Sequence, residues 1–170
     1  MQVEELCFVS KIENFKELKG IILEKINSMG QLDFNNSFQN ICHTDYHLNN
    51  AFERPYVEFI QPSFVKHLTE LNSTFGYDYF EFGYIWFQQY EKNGFHPWHC
   101  HPDSTFSNIA FIELPSSNVS TQIKIKDYQF SIDVKEGEIL SMPGSFLHCS
   151  PINKSKRKTV VVCNTFNYVS

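Results

Sequence analysis

Four of the seven histidines stand in the second half of this 170-residue chain. His96, His99 and His101 fall within Gly94-Phe-His-Pro-Trp-His-Cys-His-Pro-Asp103, and His148 stands well downstream. His99 and His101 are two residues apart, so on a strand both side chains leave from one face. A same-face imidazole pair can ligate one metal, and a third ligand from a distant strand closes a facial set with positions left for substrate and oxygen. His148 follows Gly137-Glu-Ile-Leu-Ser-Met-Pro-Gly-Ser-Phe-Leu147, a short strand and tight turn that would present it at a rim. For His96, and for the separate pair His43 and His47, ordinary hydrogen-bonded histidines are the simpler reading.

Nine residues beyond His148 stands Arg157, then Lys158 and Thr159, opening the final apolar strand. An arginine pointing from a strand into a barrel is costly unless it meets an anion. Guanidinium grips a carboxylate through two parallel hydrogen bonds, and a hydroxyl two residues along the same face adds a third. A metal beside such a clamp suits a 2-oxo dicarboxylic acid, whose keto-acid end chelates iron while its far carboxylate reaches Arg157. Trp98 and Tyr90 flank the site, where they either shape a pocket or simply pack in the core.

The elements that must position these groups are mostly strands. Residues 79–88 (YFEFGYIWFQ) are aromatic and partly alternating, and residues 106–114 form an apolar run ended by Pro115. Residues 122–134 alternate on both sides of Lys126-Asp127, which predicts a hairpin. Residues 138–141 form a short strand, and the β-branched run 158–166 (KTVVVCNTF) predicts a central one. Earlier in the chain, residues 14–29 place Phe15, Leu18, Ile22 and Ile26 at helical spacing with Gly30 as the stop. Residues 62–74 predict a second helix with Pro62 in its first turn. Residues 35–54 are polar and carry no clear pattern. Helices followed by many strands predict an α+β chain of one domain, with a helical portion over 1–78 and a sandwich or barrel over 79–170.

Composition narrows the partners. Apolar residues make up 42% and charged residues 19%, a globular balance. A net charge of -5, with no basic stripe beyond Lys154 to Lys158, argues against nucleic acid. No stretch approaches the length of a membrane span, and the N-terminus lacks the pattern of a signal peptide. Five cysteines (Cys7, Cys42, Cys100, Cys149 and Cys163) without paired spacing predict reduced thiols in the cytoplasm.

The stretch from Tyr84 to Phe166 resembles the 2-oxoglutarate/Fe(II)-dependent oxygenases, especially small bacterial and phage members with a His-x-His-Pro motif and, more distantly, prolyl hydroxylases. The resemblance implies a double-stranded β-helix of the jelly-roll or cupin type. It implies Fe(II), 2-oxoglutarate as co-substrate, and O2, with hydroxylation of a substrate and decarboxylation of 2-oxoglutarate to succinate. Tyr90-Glu-Lys-Asn-Gly94 stands where that family has a tyrosine and a turn before the first ligands, and His148 stands as the distal histidine. Arg157-Lys-Thr159 matches the co-substrate clamp, and Asn164 lies on the strand that carries it. The family's carboxylate ligand is replaced by His101. Iron is then held either by His99, His101 and His148, or with Asp103 supplying the carboxylate. The resemblance leaves the substrate open, a prolyl side chain on a protein or peptide being the analogy, and the oligomeric state is open too.

Other classes compete. Gly94 with His99-x-His101, and Gly137, Pro143 and His148, approximate the two motifs of a cupin, a metal dioxygenase or sugar-modifying enzyme without 2-oxoglutarate. That reading lacks the expected glutamate after His101 and gives Arg157 no role. A non-catalytic binding module on the same barrel would show neither turnover nor 2-oxoglutarate binding. A zinc hydrolase lacks a glutamate beside the histidines.

Overall fold

The central strand is the one whose sequence is apolar on both faces. In the computed structural model, which describes residues 3–30, 32, 43–49 and 51–170, β10 (Lys158–Tyr168) is buried on both sides over most of its length. It pairs antiparallel with β5 (Phe106–Glu113) on one side and β3 (Tyr79–Tyr90) on the other. Beyond β5 lie β8 (Glu138–Pro143) and then β1 (Phe8–Lys11), while β2 (His43–Thr44) edges β3. This gives a six-stranded sheet in the order β1-β8-β5-β10-β3-β2. A second sheet of four strands has the order β4 (His96–His99), β9 (Leu147–Ser150), β6 (Gln122–Ile125), β7 (Tyr128–Ser131). Strands β6 and β7 form the expected hairpin, its turn opened by Lys126 at φ 52°.

Each face of the large sheet is covered by something different. On one face Phe87, Ala110, Ile139, Val161 and Cys163 pack against Ile22 and Ile26 of α1 (Phe15–Ser28) and Ile60, Phe64 and Leu68 of α2 (Val57–Phe75). On the other, Trp86, Tyr90, Ile109, Phe111, Leu140, Val160 and Val162 meet Ile123 of the small sheet. The arrangement is jelly-roll-like, antiparallel throughout, with two helices on its back.

Helix α1 falls within its expected span, and Gly30 follows it at φ 71°. Helix α2 begins five residues before the expected Pro62, which therefore sits inside the helix rather than in its first turn. The buried row Tyr56, Ile60, Phe64, Leu68, Leu71 explains the extension, because tertiary burial outweighs the local cost of proline. The first portion of the chain is also not purely helical, since β1 and β2 edge the large sheet. Cys42 and residues 35–42 of the patternless stretch lie outside the described residues. No helix among the described residues is long and apolar enough to cross a membrane.

Candidate active site

The cross-strand register of β4 and β9 sets His99 directly opposite His148. His101 follows just beyond β4, where its backbone N–H donates to Gly144 O (2.8 Å) and its carbonyl accepts from Ser104 N (3.0 Å). Any side chain at position 144 would strike the carbonyls of His101 and Ser104, both no more than 2.5 Å from an added Cβ. A glycine there lets the turn before His148 close against the loop that carries His101.

Together these contacts bring one ring nitrogen each of His99, His101 and His148 within 4.8 Å of one another. His99 Nδ1–H donates to Pro97 O (2.8 Å) and His148 Nδ1–H to Phe146 O (2.9 Å). Both rings are thereby held in the tautomer that turns Nε2, with its lone pair, toward the cluster. Burial holds His148 down to about 3 and His101 to about 4, and lowers His99 as well. Neutral imidazole is the form that binds metal. Of the two alternatives for the third group, the structure brings in His101. Asp103 is exposed and lies outside the cluster, because β4 has ended and the chain is already turning there.

The clamp expected at Arg157 and Thr159 is not in this cavity. Arg157 donates to Glu113 through Nε (2.8 Å) and Nη2 (3.2 Å), Thr159 also donates to Glu113, and Gln89 Nε2 donates to Thr159 Oγ1 (3.2 Å). The reason is parity. Residues 157, 159, 161 and 163 share a face of β10, and Val161 and Cys163 lie in the helix-side core. Lys158, Val160 and Val162 share the other face and line the histidine cavity.

Lys158 is therefore the cation of this site. It is 1% exposed, and its Nζ donates to Val119 O (2.6 Å) and Ser150 Oγ (2.8 Å) above the Tyr90 ring, 5.3 Å from its centroid. Among the described residues no carboxylate pairs with it. Burial pulls its pKa down to about 7. A lone buried ammonium costs several kcal/mol unless an anion joins it. The sequence pattern points instead to Arg157, the neighbour of Lys158. The one available signal was a lysine opening a run of valines, which says only that it is buried and not on which side.

Tyr90 lines the cavity and donates through its hydroxyl to Gln88 Oε1 (2.7 Å). Asn164 lies outside the lining, its Oδ1 buried without a hydrogen-bond partner. His96, which the sequence reads as an ordinary hydrogen-bonded histidine, lies against His99, ring centroids 3.9 Å apart, and lines the cavity. His43 instead bonds Gln89 through Nδ1 (3.0 Å) and packs on Phe87, away from the cluster.

Beside the histidines runs a second, larger space of about 310 Å³, walled by Tyr46, His47, Trp98 and the chain from His96 to His101. Trp86, Gln88, His96, His99 and His101 line both spaces. The loop carrying Tyr46 and His47 is stapled by Arg54, which donates to Asp45 Oδ2 (2.9 Å), the Leu48 carbonyl (3.0 Å) and Tyr84 Oη (2.5 Å). Asp45, fully buried, also accepts from Tyr56 Oη (2.7 Å) and the Phe87 N–H (2.8 Å).

No family model and no curated protein sequence matches the chain. Solved structures do, and the neighbours are 2OG-Fe(II) oxygenases, including viral and bacterial prolyl hydroxylases. A viral collagen prolyl hydroxylase from Paramecium Bursaria Chlorella virus-1, in complex with 2OG, has a TM-score of 0.64 at 12% identity, covering 96% of this chain and 97% of that one. A Pseudomonas putida prolyl-4-hydroxylase has a TM-score of 0.64 at 9% identity, covering 97% and 93%. A Trichoplax adhaerens prolyl hydroxylase, bound to a fragment of the hypoxia inducible factor oxygen degradation domain, has a TM-score of 0.68 at 10% identity, covering 94% and 83%. At these identities the likeness establishes the fold.

Proposed function

We propose that the protein is an Fe(II)- and 2-oxoglutarate-dependent dioxygenase on a double-stranded β-helix, hydroxylating a protein or peptide side chain, with prolyl the first to try. The observation that carries this reading is one cavity holding three neutral imidazoles and a buried ammonium with no carboxylate partner among the described residues. Three imidazoles suit a divalent first-row metal such as iron. On neutral ligands the metal keeps its full charge, and with Lys158 it makes a site that favours a dianion such as 2-oxoglutarate. Structural neighbours named as prolyl hydroxylases, one with 2OG and one with a peptide, support the same choice. The four described cysteines are free thiols, which fits a cytoplasmic setting.

Bound together, iron and 2-oxoglutarate supply oxygen activation, with the co-substrate leaving as succinate and carbon dioxide. The chain's own residues do the rest. His99 and His148 keep Nε2 aimed inward because their Nδ1 protons are committed to backbone carbonyls. Lys158 orients the co-substrate by its far carboxylate, while Tyr90 and Phe111 shield the ammonium from water and strengthen that contact. Ile109, Val160 and Val162 wall the cavity with apolar surface. The space at the histidines is only about 20 Å³, room for one water. Admitting a five-carbon dicarboxylate requires side chains to turn, and Gln88 and His96, which line both spaces, are the ones placed to do so.

Anaerobic titration with Fe(II) and then 2-oxoglutarate tests the reading through the visible metal-to-ligand charge-transfer band. The band should appear in the wild type, and Lys158→Met should weaken 2-oxoglutarate binding by roughly a hundredfold, about 2.7 kcal/mol. Three imidazoles also suit a cupin-type dioxygenase that needs no 2-oxoglutarate. Iron bound tightly with no band would favour that enzyme instead.

A further inference from the structure

The two sheets leave a slot between one edge of each. Strand β2 ends the six-stranded sheet and β4 ends the four-stranded one, and among the described residues no strand pairs with the outer edge of either. The groove of about 310 Å³ runs between them, with Thr44, Tyr46 and His47 on one side and the whole of β4 on the other. His99 and His101, two of the three clustered imidazoles, line it, so whatever lies in it lies beside the metal site. A slot flanked by a free strand edge fits an extended chain, which such edges recruit through main-chain hydrogen bonds. Pro97 within β4 offers no N–H, which limits that pairing and leaves side chains to carry much of the affinity.

Those side chains are aromatic. Trp98 is 39% exposed and Tyr46 45%, while Trp86 forms part of the floor. No Asp, Glu, Lys or Arg is among the described residues that line the groove. The nearby charges, Asp45 and Arg54, are spent on each other and on holding the loop. A carboxylate placed here would find ring faces, which carry partial negative charge, and no cation among the side chains that wall the groove.

We propose that this slot takes an extended, uncharged peptide segment along the edge of β4, with Trp98 and Tyr46 gripping a residue beside the one presented to the histidines. The proposal rests on the dioxygenase reading for what happens at the metal, but the grip itself is read by binding. The chain has only two tryptophans, Trp86 and Trp98, and both line the groove. Their indole N–H signals in an NMR spectrum report on it directly. The full chain is loaded with Zn(II), which fills the metal site without redox chemistry, and 2-oxoglutarate affinity is measured before any peptide is added.

The probes are the peptide acetyl-Ala-Ala-Pro-Ala-Ala-amide and a counterpart with Asp on both sides of Pro. The uncharged peptide should shift both indole signals saturably, and the acidic one should bind at least tenfold more weakly. Trp98→Ala, read through the remaining Trp86 signal, should weaken the uncharged peptide at least tenfold, and Tyr46→Ala should weaken it in the same direction. No shift with the uncharged peptide, equal binding of the acidic one, or unchanged affinity in Trp98→Ala each overturns the proposal. If 2-oxoglutarate binds through Lys158 and no peptide does, the recognition mode fails while the enzyme class stands. If peptide binds and 2-oxoglutarate does not, the recognition mode stands and the enzyme class fails.

Discussion

The two layers packed on either side of the six-stranded sheet hold the same kinds of polar group and use them differently. On the helix face, the imidazole of His67 is satisfied at both nitrogens, by Ser10 Oγ and Ser141 Oγ, each at 2.6 Å. On the same face Arg157 lies fork to fork with Glu113. Across the sheet, His99 and His148 each spend one nitrogen on a carbonyl and turn the other toward a shared point. Among the described residues Lys158 has a carbonyl and a hydroxyl but no carboxylate. Buried polar groups are normally paired within the protein. In the cavity the half-paired groups turn their free atoms toward one shared space, which is the arrangement of a site built to receive something.

That contrast breaks first at the metal. His99→Ala or His148→Ala should cost Fe(II) affinity by a hundredfold or more (roughly 3 kcal/mol or above), and His101→Ala should do the same. Asp103→Ala should leave metal content unchanged by elemental analysis. Retained iron in His101→Ala would return the third position to Asp103.

The cation on the cavity face should also make binding depend on pH near neutrality. Lys158 is charged below its depressed value of about 7 and neutral above it. A carboxylate is gripped by the charged form, so 2-oxoglutarate affinity should fall as pH rises beyond about 7, approaching tenfold per unit. Binding favours the proton, and the raised value in the complex sets where the fall levels off. The dependence should vanish in Lys158→Met and persist in Arg157→Ala. A flat profile in the wild type would show that the ammonium takes no part.

His67 sharpens the comparison from the helix side. Burial lowers its pKa to about 4, against about 6.5 in the unfolded chain. Between those values the unfolded chain binds the extra proton, so stability falls as pH drops from about 6.5 through about 4. His67→Gln should remove roughly one proton from that slope in urea unfolding. It should also cost about 1–3 kcal/mol at neutral pH, since Ser10 and Ser141 lose a partner. Metal binding should be untouched. The smallest effect belongs to Arg157→Ala, an ion pair whose side chain is 31% exposed. It should cost about 0.5–1 kcal/mol of stability, screened by salt, and change 2-oxoglutarate affinity less than twofold.

Much of this architecture is legible in the order of residues. Spacing alone puts His99 and His101 on one side of an extended chain, and alternation about Lys126-Asp127 marks the hairpin. The β-branched run beginning at Thr159 declares a strand buried on both faces. That same burial hides which face looks inward. Hydropathy reads identically for 157, 159, 161 and for 158, 160, 162 when helices cover one side and a second sheet the other. A strand's period of two fixes which residues go together, and a shift of one exchanges the two sets. Only the packing of β10 between β5 and β3, with α1 and α2 behind, assigned Lys158 to the cavity and Arg157 to Glu113.

The third ligand and the groove were undecidable for a related reason. His101 against Asp103 turns on where β4 stops, and that is set by Gly144 closing on the His101 carbonyl from another part of the chain. The groove joins Tyr46 and His47 to Trp98, which lies about fifty residues further along the chain. The sequence by itself determined which side chains offer metal ligands and where the long apolar strands lie, because those follow from side-chain chemistry and local periodicity. The short edge strands β1 and β2 carry no such pattern. Tertiary structure alone decided which cation, which third imidazole and which aromatic walls meet at one point, because contacts between distant segments depend on packing that no local pattern encodes.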